Sequence, residues 1–358
     1  MSKFFGERIE LEIYGGSHER LIGVKIEGIE AGTPVDTEEL ALFMARRAPG
    51  NNALGTARVE GDAVEFISGV LDGVCTGEQI HAVIRSTNQR TSDYSRFADT
   101  PRPSHADYVA KMKYGDSVNM SGGGPFSGRM TAPLCIAGGI ALQILKRRGI
   151  EIGAHLFSVA DVYDTPFDPI CVSKDQLDAL KSKNPATIDD AAGALMAERI
   201  LKAKADGDSV GARIECAVTG MPVGLGGPLF DGLESRISAL AFAVPAVKGI
   251  EFGEGFASAD RLGSEHNDPF DVKDGRVVTS TNNSGGIQGG ISNGMPMIFR
   301  VAMKPTPSIS KLQQTVSLSR MERATVSIGG RHDPCVAVRA VPVIEAVAAI
   351  AVLDAMGQ

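Results

Sequence analysis

The chain has 358 residues, 43% of them hydrophobic, and a formal net charge of −7. Its length and apolar content can fill a large core, in one big domain or two ordinary ones, while the acidic balance argues against a nucleic-acid binder, which carries a basic excess or a basic stripe. Five cysteines without a CxxC pair (Cys75, Cys135, Cys171, Cys216 and Cys335) fit reduced thiols better than a disulfide framework or a zinc site.

The opening MSKFFGERIELEI has charges where an export signal needs an unbroken apolar core, so a cytoplasmic protein is expected. Ile9, Leu11 and Ile13 alternate with Arg8, Glu10 and Glu12, the pattern of a half-buried strand, and Val24 and Ile26 alternate with Lys25 and Glu27. YGGSHERLIG lies between them, which puts His18 in a loop joining two strands. Asp36 and Glu39 are spaced as in a capping box, and the helix they open should end at Ala48, before Pro49 and Gly50.

Further strands are expected at 64–70, 80–85, 212–218, 277–281 and 297–303, and helices at 131–148, 189–205, 233–243 and 341–356. The last helix is alanine-rich and almost uncharged, so it should be buried all round. The apolar stretches 133–145 and 341–354 fall short of the ~20 residues that cross a bilayer, so no membrane helix is expected. Alternating strands outnumber clean βαβ units, which favours an α+β layered architecture over a Rossmann sheet. No low-complexity linker divides the chain; the most loop-like region, 254–296, has too many specific polar residues for a tether. A single domain over 1–358 follows.

Glycine-rich loops and arginines carry the chemistry. SGGGPFSGR (121–129) leads into a helix, yet neither GxxxxGK[ST] nor GxGxxG is present. It is either an anion site at a helix N-terminus or a tight turn that lets the helix pack closely. NNSGGIQGGISNG (282–294) repeats the theme and leads to a strand ending in the rigid, donor-rich KPTPS (304–308). Arg46, Arg47, Arg102, Arg129, Lys304, Arg331 and Arg339 mostly lie near turn residues, and the guanidinium fork suits carboxylate or phosphate. A small anionic ligand is expected. Among six histidines, His18 (GGSHE), His105 (RPSHAD) and His332 beside Asp333 (GRHDPC) lie in turn-like settings suited to general acids. A metal hydrolase lacks its HExxH, and a Ser-His-Asp hydrolase built on Ser17 lacks GxSxG. Acid–base chemistry on an anionic substrate remains.

These segments together resemble the chorismate synthase family. YGGSHE resembles its GxSHG signature, PRPSHADY its RPGHAD segment and GGRHDPCVAVRAVPVIEA its GRHDPCxxxRAVPxxEA signature; AVKGIEFGEGF, SGGIQGGISNG and FRVAMKPTPSI are also similar, in order and spacing from about residue 5 onward. The resemblance implies a β-α-β sandwich and a homotetramer. It also implies a 1,4 trans elimination of phosphate and a ring proton from 5-enolpyruvylshikimate 3-phosphate to give chorismate, with reduced FMN and no net redox change. Family members obtain reduced flavin by their own NADPH-dependent reduction or from an external flavin reductase, and both sources stay open.

On the same resemblance His18 matches the acid near the departing phosphate, His105 the histidine facing the flavin N1 region, and Asp333 the aspartate near flavin N5. Pro125, Phe126, Ser127, Ala246, Gly289, Lys304, Pro305, Thr306, Pro307, Ser308 and Arg331 match FMN positions. Arg46, Arg47, Arg102 and Arg129 match substrate positions, expected to form one basic pocket on an acidic protein. The chain departs from the family at Ala48, Ala53, Ser121 and Pro125, where arginines are usual, and at Ser104 and Glu19, where glycine is usual. Either other cations such as Lys113 or Arg58 compensate or affinity for the phosphorylated substrate is reduced. A flavin-binding protein without lyase activity is the rival reading.

Overall fold

Leu11 is buried and Glu10 exposed on the same strand, as a sheet with one wet face requires. The structure, a computed structural model, describes residues 2–50, 53–56, 61–86, 97–329 and 332–357. Its first sheet is antiparallel, in the spatial order Ser2–Phe5, Glu10–Gly15, Leu21–Glu27, Ile80–Arg85, Glu65–Ser68. The second is antiparallel in the order Val247–Phe252, Met297–Met303, Ala212–Thr219, Glu151–Val159, Val162–Tyr163.

Eight helices occur among the described residues: α1 (Thr37–Arg47), α2 (Asp107–Tyr114), α3 (Thr131–Arg147), α4 (Lys174–Lys181), α5 (Asp190–Ala205), α6 (Leu233–Ala243), α7 (Gly263–His266) and α8 (Ala337–Ala355). The first sheet packs on α3, the second on α8, and α3 and α8 pack on each other, giving a β-α-β sandwich of the α+β class. Gly138 makes this close: a Cβ there would overlap Ala346 of α8. The apolar inner faces of both sheets and the two central helices form one core, in which each fully buried aliphatic side chain contributes about 1.5–3 kcal/mol. Helices α4 and α5 cover the outer face of the second sheet.

Asp36 caps α1, its Oδ1 accepting from the Glu38 and Glu39 amides at 2.9 Å each, while the Glu39 side chain bonds to Lys146 instead of closing the box. α8 starts a turn earlier than expected and carries Pro342 inside it, and it is buried nearly throughout. The stretch Gly128–Arg147 is long and apolar enough to cross a membrane by length and composition, contrary to expectation, but 83% of its apolar window is buried in the protein, as in a core helix. The expected strand 64–70 breaks at Gly69 into Glu65–Ser68 and Val70–Leu71. Region 254–296 holds α7 and two short hairpins. Asp268 stitches it together, accepting from Thr281 Oγ1 and the Asn283 and Ser284 amides at 2.7–3.0 Å.

Candidate active site

Where the turn after Glu10–Gly15, the end of α1, the starts of α3 and α8, and the loops after α6 and Met297–Met303 meet, they enclose a cleft of about 600 Å³. His18, His105 and Asp333 all line it, with Arg47, Arg102 and Arg129.

The triple glycine is shaped around the two histidines. Gly122, Gly123 and Gly124 have φ of +64°, +93° and +52°, a left-handed run that side-chain-bearing residues disfavour. A Cβ on Gly122 would overlap the His18 ring, and one on Gly123 would come within 3.3 Å of His105 Nε2. The Gly124 carbonyl accepts from the Ser17 amide at 3.2 Å, tying this loop to the His18 turn. What comes close to this backbone is imidazole.

His105 is oriented through α2. Its Nδ1 lies 2.8 Å from Asp107 Oδ1. Arg102 grips the same carboxylate with Nε and Nη2, both at 2.7 Å, and stacks 4.9 Å over the Phe97 ring. Burial opposes the Asp107 charge, but the hydrogen bonds from Arg102 and His105 outweigh it and hold the carboxyl well below its usual range. The hairpin Gln313–Ser317 with Glu322–Val326 braces the approach loop: Thr315 Oγ1 donates to the Pro101 carbonyl at 2.6 Å and Ser317 Oγ to Asp99 at 2.8 Å.

Asp333 precedes α8. Its Oδ1 accepts from the Thr56 amide at 2.9 Å and its Oδ2 from Arg339 Nη1 at 2.6 Å. Arg339 Nε also donates to the Arg47 carbonyl at 2.9 Å, tying α8 to α1. His332 lines the same wall; burial, with Arg102 nearby, pushes its imidazole down to about 4, so it is neutral near pH 7.

Of the four arginines expected to form one basic pocket, Arg47, Arg102 and Arg129 line the cleft, and each lies beside a carboxylate. Arg102 is matched by Asp107, Arg339 by Asp333, and Arg47 and Arg129 share Asp62 at 3.0 and 3.1 Å. Arg46 is not in the cleft at all. Consecutive residues on a helix point about 100° apart, so Arg46 turns away from Arg47 into a second cavity of about 610 Å³. There it forms a fork on Glu345 of α8 at 2.5 and 2.8 Å.

The loops matched to FMN divide in the same way. Pro125, Phe126, Ser127, Ala246, Lys304, Thr306, Pro307 and Ser308 line the cleft. Ala246 has φ of +77°, a strained value for a side-chain-bearing residue. Pro305 is not among the lining residues and approaches Gly211 instead. Gly289 sits in the turn between Ile287–Gln288 and Ile291–Ser292 and is not among the residues that line the cleft. Arg331 and Arg58 lie outside the described residues.

The residues present suit a flavin mononucleotide. Thr306 Oγ1 is buried with no hydrogen-bond partner among the described residues, and space is open where a Cβ on Gly128 would be. Lys304 and Lys248 both line the cleft, and burial together with Lys248 lowers the Lys304 pKa, a strain a phosphate would relieve.

The positions that depart from the family pattern sit in different settings. Ser104 adopts φ of +58°, the geometry that explains a glycine elsewhere. Glu19 is exposed and does not line the cleft. Lys204 of α5 donates to the Ala53 carbonyl at 3.0 Å, bringing a cation to the loop where an arginine is missing. Lys113 does not line the cleft; it lies 5.1 Å over the Tyr114 ring.

Sequence reasoning missed Asp62, Asp107, Thr56 and Lys248. Asp107 was within reach, two residues from His105. Asp62 carried no local signal, because its partners lie on α1 and before α3.

A family model described as chorismate synthase matches residues 9–356. The chain is 44% identical to the chorismate synthase of Lancefieldella parvula over 99% of this chain and 96% of that protein. It is 41% identical to that of Korarchaeum cryptofilum over 98% and 96%. A solved structure titled "Crystal Structure of Chorismate Synthase" superposes with a TM-score of 0.76 at 25% identity, covering 98% of this chain and 92% of the other.

Proposed function

The chain belongs to the chorismate synthase family, and we infer that the 600 Å³ cleft is where it works. It is a carbon–oxygen lyase of aromatic amino acid biosynthesis by the shikimate pathway, eliminating phosphate and a ring proton from 5-enolpyruvylshikimate 3-phosphate to give chorismate. The observation that carries the assignment of the site is the meeting, in one cleft, of His18, His105, Asp333, Arg47, Arg102 and Arg129 from distant parts of the chain.

In this reading Arg47 and Arg129 receive the anionic groups of the substrate, and Arg102 fixes Asp107 beside His105. His18, held against Gly122, donates a hydrogen bond or proton to the departing phosphate oxygen, a contribution of roughly 10²–10⁴-fold. Asp333, with an oxygen each on the Thr56 amide and Arg339, assists removal of the ring proton. Lys304, Lys248, Thr306, Ser308 and the 125–127 turn would hold FMN, and Arg331 is assigned to the same group. Reduced FMN, when bound, supplies electron density that helps an allylic phosphate leave.

The shared core of the two sheets supports a single domain over 1–358. Exposed Phe230 and Phe256, 91% and 81% accessible, support assembly with further copies, the homotetramer of the family. Five free cysteines support a reducing, cytoplasmic setting. The test is an anaerobic assay with reduced FMN and 5-enolpyruvylshikimate 3-phosphate, followed by chorismate absorbance. Chorismate formation is expected; flavin binding without chorismate would favour a flavin-binding protein that has lost the lyase step. Running it with NADPH, with and without an added flavin reductase, decides the source of reduced flavin.

A further inference from the structure

Arg47 and Arg129 reach the cleft from different elements, the end of α1 and the turn before α3, yet they meet on one carboxylate. Asp62 lies 3.0 Å from Arg47 Nη2 and 3.1 Å from Arg129 Nη1, and its side chain is fully buried. Arg47 Nη1 also lies 3.4 Å from both the Arg129 carbonyl and Thr131 Oγ1. Asp62 is not a cleft-lining residue, whereas both arginines are. Burial weakens the Arg47 charge, and Asp62 is the largest influence opposing that loss.

We propose that Asp62 is a positioning residue for substrate binding, which locks the Arg47 and Arg129 guanidinium groups into one anion-receiving unit facing the cleft. Asp62 is a countercharge common to both guanidinium groups, and both arginines line the cleft where a phosphate or carboxylate of the substrate would sit. Without Asp62 two buried like charges would repel and turn apart, and the anion would lose two donors held in a fixed geometry. The proposal rests on the substrate role inferred above for Arg47 and Arg129.

The test is calorimetric titration of 5-enolpyruvylshikimate 3-phosphate into enzyme loaded with oxidised FMN, for wild type, Asp62→Asn and Asp62→Glu. Thermal unfolding and FMN affinity are measured in parallel. Asp62→Asn should weaken substrate binding tenfold or more with FMN affinity within twofold of wild type. Asp62→Glu keeps the charge but moves it, and should weaken binding at least threefold; it decides the matter if Asp62→Asn does not fold. Substrate affinity that is unchanged or tighter overturns the proposal, since a mere countercharge would be relieved by its removal. If Arg129→Ala binds substrate as wild type does, the arginine assignment itself fails, a result distinct from failure of the Asp62 role.

Discussion

Gly122 lies against the His18 imidazole so closely that a Cβ at position 122 would overlap ring atoms Nδ1 and Cε1. Its φ of +64° adds a second demand for glycine, since a left-handed residue with a side chain costs about 1–2 kcal/mol. Gly122→Ala should therefore act on His18 rather than on the fold at large. Turnover is expected to fall 100-fold or more, the scale of a lost general acid, with FMN affinity preserved. His18→Ala should lose a similar factor, and the double variant little more, because residues in contact are not additive. Chorismate formation and flavin fluorescence titration measure both; wild-type turnover in Gly122→Ala would remove the link.

Arg46 and Arg129 were equivalent in the sequence and are not in the structure. Arg46 pairs with Glu345, whose side chain is 1% exposed, in the second cavity. Arg46→Met strands a buried carboxylate, at a cost of about 3–5 kcal/mol. Urea unfolding should show that loss while KM for the substrate stays close to wild type. Arg129→Ala should do the reverse to kinetics and raise KM at least tenfold. A raised KM in Arg46→Met would return that residue to the substrate site.

Much of the scaffold was readable because its signals are local. Strand Ile80–Arg85, strand Met297–Met303 and helix α6 have the bounds that periodicity assigns, and Asp36 caps α1. The hairpin Gln313–Ser317 with Glu322–Val326 was invisible: its strands QQTVS and ERATV are mostly polar, and their buried contacts serve the 99–105 loop instead of the main core. α8 begins at Ala337, a turn before the expected start at 341, with Pro342 inside it. At the site, motifs located the histidines and Asp333, but not the carboxylates that set the arginines. The pairings of Asp62 with Arg47 and Arg129 join different parts of the chain, and Arg46 and Arg47 differ only by a helical rotation that the motif does not express.

Asp107 gives a separable test of how His105 is held. Its two oxygens receive three side-chain contacts, two from Arg102 and one from His105 Nδ1. Asp107→Asn keeps the shape but removes the charge-assisted bonds, each worth about 1.5–3 kcal/mol when the partner is charged. A stability loss of about 3 kcal/mol and at least tenfold slower turnover are expected. Arg102 would then be left without its countercharge, so binding of inorganic phosphate, a simple anion probe, should tighten by calorimetry. Unchanged turnover would mean that His105 needs no anchor.

His332 predicts an acid-side loss of stability. Its pKa falls from 6.5 to about 4 on folding, through burial first and then the Arg102 charge. Above pH 6.5 the imidazole is neutral in both states and makes no difference. Between pH 6.5 and 4 the unfolded chain takes the proton first, so folding stability drops as pH falls through that window. The effect is roughly 1–3 kcal/mol at its fullest, discounted because the ring is partly exposed. His332→Gln has no proton to take, so its unfolding midpoint in urea should decline less than that of wild type between pH 7 and 4.5. Equal declines would show that His332 takes its proton at the same pH in the folded and unfolded protein, and that burial and the Arg102 charge do not lower its pKa.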